Sequence, residues 1–309
     1  MEYRIERLNK EKIKDLENLH EAVYSKNPAK DYYEKKYDTS YTKVEYVGFI
    51  AYQISGKPIA YYGVIPCFIE WNNEKYLAAQ SADTMTHPDH RYKGMFSDLS
   101  NKAFELCRQL NINLVFGFPN QNSYHGAIKL GWKMTECMDF FQINIESIPF
   151  RSISNKIKFL QIPYNLWRKQ VFSKYQKEIS GVENSVINEG FAGVMRNEDF
   201  KKYKSYNQTI ILEIESVKIW MKDSDVLIIG DINGATENNF NHVIEELKLI
   251  AKKLGLKQIH FHCSPGTSLH QFFTGICDPV PSFPVLFQDF GSAVPLEKIK
   301  FTFADIDIF

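Results

Sequence analysis

The sequence lacks an excess of charge of either sign: its 309 residues hold 37 lysines and arginines against 37 aspartates and glutamates. A general nucleic-acid binder needs a basic footprint, so no nucleic-acid partner is expected. No apolar run approaches the roughly 20 residues that span a bilayer. The opening, Met1-Glu2-Tyr3-Arg4-Ile5-Glu6-Arg7, has no apolar signal region, which argues against secretion by that route. Cysteines are few and unpaired in pattern. Cys67, Cys107, Cys137, Cys263 and Cys277 are odd in number, far apart and free of any Cys-x-x-Cys spacing. They read as buried thiols in a reducing, cytoplasmic setting rather than as a disulfide frame. What the chain does hold is apolar material, 44% of its residues, enough for a real core. Its length suggests two domains of about 100–200 residues each.

Periodicity orders the first half. Ile13, Leu16, Leu19 and Val23 recur at helical spacing, and a second short helix is expected over 31–36. Extended runs at 47–54, 59–71 and 76–86 are separated by the turns Ser55-Gly56-Lys57-Pro58 and Asn72-Asn73. Leu99, Ala103, Leu106 and Leu110 share a helix face. A strand at 112–118, a helix ending at Gly131 and a strand at 138–145 follow. The order βααβββαβαβ implies an antiparallel start and then a β-α-β unit with one parallel pair.

Residues 151–177 carry Arg151, Lys156, Lys158, Arg168, Lys169, Lys174 and Lys177 and no acid, interleaved with Phe159, Leu160, Ile162, Leu166 and Trp167. Two readings stand: a linker helix with solvated charges, or a peripheral contact with an anionic membrane. Beyond it, Leu254-Gly255-Leu256-Lys257-Gln258-Ile259-His260-Phe261-His262-Cys263 echoes Leu110-Asn111-Ile112-Asn113-Leu114-Val115-Phe116-Gly117-Phe118-Pro119. Each copy ends a helix, makes a strand and enters a turn, as a duplicated fold would. The expected division is 1–150, a basic aromatic linker over 151–180, and 181–309.

The stretch richest in chemistry is Thr84-Met85-Thr86-His87-Pro88-Asp89-His90-Arg91-Tyr92-Lys93-Gly94-Met95-Phe96-Ser97. A strand ends, a proline breaks it, and a basic loop with one glycine opens a helix. Unpaired N–H groups and the helix dipole at such a start suit a phosphate or pyrophosphate.

Pro88-x-x-Arg91-x-x-Gly94, followed by Asn120 and then Gly131-Trp132, resembles the acyl-CoA loop and the Asn…Leu-Gly-Phe element of the GNAT N-acetyltransferases. The resemblance covers roughly residues 1–145. It implies an α/β (α+β) fold: a GNAT-type mixed sheet with helices on both faces, followed by a second GNAT-like α/β domain. It implies an N-acyltransferase using acetyl-CoA or another short acyl-CoA, with a small amine acceptor, an amino sugar among the candidates. Thr84, Met85 and Thr86 would pair with the pantetheine arm and offer an N–H to the thioester oxygen. Arg91, Tyr92, Lys93, Gly94, Met95, Phe96 and Ser97 would hold the pyrophosphate, and Asn120 would reach the pantetheine region. Two other readings remain open: a non-catalytic acyl-CoA binder on the same fold, and an aminoacyl transferase of the FemABX type.

The chain departs from the family at Phe96, where relatives have Gly or Ala, at Ala127, where they place a tyrosine acid, and at Val115, where many have a carboxylate. Tyr124, one turn before Ala127, is the candidate acid, and Asp83, on the strand leading to the loop, the candidate base. His260 and His262 share a strand face, with His270 nearby. No zinc-type spacing frame accompanies them, so no metal is expected, and a substrate contact is the reading to test. The second copy has Gly230-Asp231-Ile232-Asn233-Gly234 where a basic loop would sit. It should not bind CoA and is expected to shape the acceptor pocket. The sequence leaves the oligomeric state open.

Overall fold

The computed structural model describes residues 2–176 and 182–309. In chain order the first half reads β1 (Tyr3–Arg7), α1 (Ile13–Tyr24), α2 (Tyr32–Tyr37), β2 (Val47–Gln53), β3 (Pro58–Trp71), β4 (Glu74–Thr86), α3 (Met95–Gln109), β5 (Leu114–Gly117), α4 (Gln121–Lys129) and β6 (Lys133–Asn144). The second half reads α5 (Phe150–Lys156), α6 (Lys158–Ser173), α7 (Ser185–Asn188), β7 (Gly193–Val194), α8 (Glu198–Lys204), β8 (Ile210–Ile214), β9 (Val217–Asp223), β10 (Leu227–Asn233), α9 (Phe240–Leu254), β11 (Gln258–Cys263), α10 (Ser268–Thr274) and β12 (Val280–Asp289).

The chain forms two compact units. One comprises residues 1–136, 199–206 and 284–298; the other comprises 137–198, 207–283 and 299–309. These bounds differ from the divisions at 150 and 181 that composition suggests, and residue 181 lies outside the described residues. In the first unit β1, β2, β3 and β4 pair antiparallel, β4 pairs parallel with β5, and β5 pairs antiparallel with residues 286–289 of β12. In the second, β8, β9 and β10 pair antiparallel, β10 pairs parallel with β11, and β11 pairs antiparallel with residues 139–144 of β6. The pairing senses of the second unit are those of β2, β3, β4, β5 and β12 in the first, which has β1 as one further antiparallel strand. Each unit's last strand, however, comes from the other half of the sequence.

Alternation puts the first sheet's side chains on two faces. Ala60, Tyr62 and Val64 pack with Leu99, Ala103 and Phe104 of α3. Tyr61 and Ile65 pack with Leu16 and Leu19 of α1 and with Tyr33 and Tyr37 of α2. The sheet therefore has helices on both faces, and whatever interrupts β4 lies between α3 on one side and α1–α2 on the other.

Candidate active site

β4 and β5 pair at Ala79–Val115 and Gln80–Phe116. Past that point β4 runs on to Thr86, while β5 stops at Gly117. The register of β4 against β3 slips between Tyr61 and Gly63, so β4 carries an extra residue there. Asp83 sits in that stretch at φ 51°, in the left-handed region that a non-glycine residue rarely adopts. A bulge of this kind bends its strand and ends regular pairing. It leaves Thr84, Met85 and Thr86 on a strand whose β5-facing edge is not paired with β5.

The loop beyond exposes Arg91, Tyr92, Lys93 and Gly94. Gly94 is the N-cap of α3 at φ 80°, gives no side-chain cap, and would carry a Cβ into open space. The first-turn amides of a 15-residue helix are thus uncapped by a side chain, with Arg91 and Lys93 nearby. Lys93 Nζ donates to the Asp89 carbonyl at 2.7 Å and Arg91 Nε to the Thr86 carbonyl at 3.4 Å. The acid of the first turn, Asp98, is turned to the Tyr3 hydroxyl; that bond to a carboxylate is the main reason the Tyr3 phenol is pushed up to about 12.

Phe96, the departure from the loop pattern, is turned inward. Its ring lies 5.9 Å edge-on from Tyr62, and a Cβ at Gly126 of α4 would meet it at 2.8 Å. Gly126 makes room for the ring, Met95 beside it is buried, and Ser97 is exposed. The donor set fits a pyrophosphate: backbone amides at a helix start, a glycine without a Cβ, and two cationic side chains.

On the other face of the bulge the Asp83 carboxylate is engaged. Its Oδ2 pairs with Lys36 Nζ at 2.7 Å and accepts from the Tyr37 hydroxyl at 2.9 Å. Lys36 is 1% exposed. Burial, then the Asp83 charge, holds the Tyr37 phenol well above its usual range. His20 Nδ1 lies 2.6 Å from the Tyr33 hydroxyl, which reaches Met85 Sδ at 4.0 Å. Burial pushes the His20 imidazole down, favouring its neutral form. Sequence reading missed Lys36 and His20. Each stands on a short helix far from the loop, and only the fold brings them beside β4.

Asn120 caps α4: its Oδ1 accepts from the amides of Asn122 at 2.9 Å and Ser123 at 3.2 Å, which commits the oxygen but not the Nδ2 group. Tyr124 directs its hydroxyl to Met134 Sδ at 3.5 Å. Ala127 and Val115 are buried. An open groove of about 850 Å³ lies elsewhere, lined by Glu6, Arg7, Asn9, Lys43 and Tyr46 among others, and no candidate site residue borders it.

A family model described as an acetyltransferase (GNAT) domain matches residues 4–135. Residues 4–135 are a GNAT domain. Over 144 residues the chain is 28% identical to an uncharacterized N-acetyltransferase of Methanocaldococcus jannaschii, a match covering 43% of this chain and 62% of that relative. The chain thus spans less than two thirds of the curated relative it matches. A GCN5-related N-acetyltransferase from Kribbella flavida superposes with a TM-score of 0.58 at 11% identity, covering 94% of this chain and 72% of that one. A probable N-acyltransferase from Enterococcus faecalis gives 0.58 at 13%, covering 94% and 73%. N-myristoyltransferase of Saccharomyces cerevisiae, solved with myristoyl-CoA, gives 0.54 at 8%, covering 93% and 78%. At these identities the likeness is one of fold.

The second unit repeats the bulge of the GNAT domain but not its opening. β10 slips register between Ile229 and Asp231. Buried Asp231 there meets Arg196, which also donates to Asp305 Oδ1 through Nε at 3.0 Å and Nη2 at 2.7 Å, and to Thr302 Oγ1 at 2.8 Å. Burial pushes the Asp305 carboxyl up against the pull of Arg196. A Cβ at Gly230 would meet the Phe309 ring at 2.2 Å. Where the GNAT domain leaves β4 open, residues 302–309 pack onto β10.

His262 is stacked among aromatic rings, 4.7 Å from Phe140, 5.0 Å from Phe283 and 4.8 Å from Phe303, with Nδ1 3.1 Å from Ser282 Oγ. His260 Nε2 lies 2.9 Å from Gln258 Oε1, and His270 Nε2 lies 2.8 Å from Asp139 Oδ2. Among the described residues, no group of three His, Cys, Asp or Glu side chains could hold a metal ion. Burial drives the His262 imidazole down to about 4. Its unfolded value is about 6.5, so the unfolded chain binds the proton first as pH falls. Stability is expected to be full above about pH 6.5 and to drop by up to about 3 kcal/mol toward pH 4. His262→Phe should flatten that part of a urea-unfolding profile against pH; an unchanged slope would assign it to other groups.

Proposed function

We propose that the protein is an N-acyltransferase that moves an acetyl or other short acyl group from acyl-CoA to a primary amine. The observation that carries this reading is the opening of β4 from β5 beside the side-chain-free N-terminus of α3, within a GNAT domain. Arg91, Lys93 and the amides from Tyr92 to Ser97 would hold the pyrophosphate. Thr84, Met85 and Thr86 would align the pantetheine arm and place an N–H at the thioester oxygen. A donor aimed there stabilises the negative charge that develops as the amine attacks. The Asn120 Nδ2 group would face the pantetheine. An amino sugar is one acceptor this chemistry admits. No helix among the described residues is long and apolar enough to cross a membrane; we propose a cytoplasmic protein.

The amine must shed a proton, and two groups on the α1–α2 side are candidates. Asp83, first expected as the base, shares one oxygen between Lys36 and Tyr37, so protonation there would break a buried ion pair. His20, linked through Tyr33 to Met85, holds a neutral imidazole, which suits a general base. We favour His20 as base, with Asp83 fixing α2 against the bulge. Tyr124 would serve as acid only if its hydroxyl left Met134.

The test is release of free CoA thiol from acetyl-CoA over a panel of primary amines and amino sugars. Turnover should rise with pH as the amine loses its proton. His20→Gln should lower kcat by about 10²–10⁴-fold, the usual range for a general base, with little change in acetyl-CoA affinity. Buried Ala127 and Val115, where relatives place reactive groups, favour the second reading, an acyl-CoA binder. Tight acetyl-CoA binding without thiol release across the panel would establish that reading instead.

A further inference from the structure

α6 has two unlike faces. Tyr164, Val171 and Phe172 turn inward. The Tyr164 hydroxyl donates to the Leu254 carbonyl at 3.0 Å and Trp167 Nε1 to the Lys253 carbonyl at 3.0 Å, fastening α6 to the end of α9. On the outer face Phe159 is 77% exposed, Ile162 72% and Leu166 63%. Residues spaced by three and four lie in one stripe along a helix. A surface helix ordinarily turns polar residues to water and its apolar stripe to the core, whereas this one has apolar residues on both sides. A contiguous exposed apolar surface marks an interaction site.

The charged side chains of α5 and α6 are all basic. Lys156, Lys158 and Lys169 are exposed, and α9 ends with Lys252 and Lys253 where α6 is fastened. α5 and α6 contain no acid. Two acids that reach these helices are engaged there: Asp223 binds Arg168 through both carboxylate oxygens, and Asp225 accepts from Asn155 at 3.3 Å. Lys177 of the basic run lies outside the described residues.

We infer that the outer face of α6 docks the protein on an anionic lipid bilayer surface, with Phe159, Ile162 and Leu166 in the acyl boundary and the lysines on the headgroups. A helix with Phe and Leu on one side, flanked by Lys, has the chemistry of an in-plane membrane anchor. Each basic residue near such a surface adds attraction that decays within a Debye length. This inference is independent of the acyl-transfer reading, because no residue of the candidate active site takes part.

The test is co-sedimentation of the full chain with vesicles of phosphatidylcholine, alone or mixed with phosphatidylglycerol. The protein should partition onto the mixed vesicles only. Binding should fade with salt, as the screening length shrinks from about 10 Å at 0.1 M to about 3 Å at 1 M. The triple variants F159S/I162S/L166S and K156E/K158E/K169E should each lower the partition by at least about tenfold, with circular dichroism and thermal midpoint unchanged, since all six side chains are exposed. Absence of binding to mixed vesicles, or equal binding to both kinds, would overturn the inference. So would a concentration-dependent dimer, seen by sedimentation velocity, that the apolar variant dissolves: a second copy of the chain would then cover the face.

Discussion

Gly94→Asp will abolish the thermal shift that acetyl-CoA gives the protein. A ligand present at 100 times its Kd stabilises by about 2.7 kcal/mol, a rise of about 5–10 °C at the usual 2–4 °C per kcal/mol. The left-handed Gly94 admits a Cβ without collision, so the variant meets backbone strain but no steric clash. What changes is the field. A carboxylate at the N-cap would satisfy the α3 amides and repel a pyrophosphate from the same place. Gly94→Ala has the same strain without the charge and should keep part of the shift. An undiminished shift in Gly94→Asp would remove the loop from the site. Calorimetry should give one acetyl-CoA per chain, because residues 302–309 and the Arg196 cluster occupy the second unit's counterpart; two sites would contradict that reading.

Asp83→Asn should lower stability by about 3–5 kcal/mol, the cost of breaking a buried ion pair by removing one partner. Lys36 is the cation, and its ammonium group is turned from water toward that carboxylate. Adding Lys36→Met should restore most of the loss, since a buried pair replaced by apolar or neutral groups often costs little. Denaturant unfolding of the two variants measures both terms. A single Asp83→Asn variant that stays as stable as the parent but loses turnover would return Asp83 to the role of base.

The elements of the first half were legible because their periodicities are strong. Leu99, Ala103 and Leu106, three residues of the face read from the pattern, are all buried along α3, Met95–Gln109. The loop was legible because proline, arginine and glycine fall at a spacing tied to one kind of backbone. The partners of Asp83 were not. A carboxylate on a strand looks the same in sequence whether it faces water or Lys36, and the two are brought together by a bulge that the alternation of β4 does not announce. Phe96 misled in the other direction. By identity it intrudes on a phosphate loop, yet Gly126, thirty positions away, takes its ring. His262 looked like a polar residue awaiting a ligand, and its neighbours are the rings of Phe140, Phe283 and Phe303.

The exchange of last strands has a consequence for synthesis. The free edge of β5, made by residue 117, is covered by residues 286–289. At about 5–20 residues per second, a ribosome needs roughly ten to thirty seconds to supply that cover. Until then the GNAT domain presents an unpaired, wholly apolar strand edge, the kind that recruits other chains. A gene fragment ending near residue 150 would keep that edge open permanently, however complete its loop and helices. Active protein should therefore come only from chains that include β12, and soluble expression should fail at truncations that remove it.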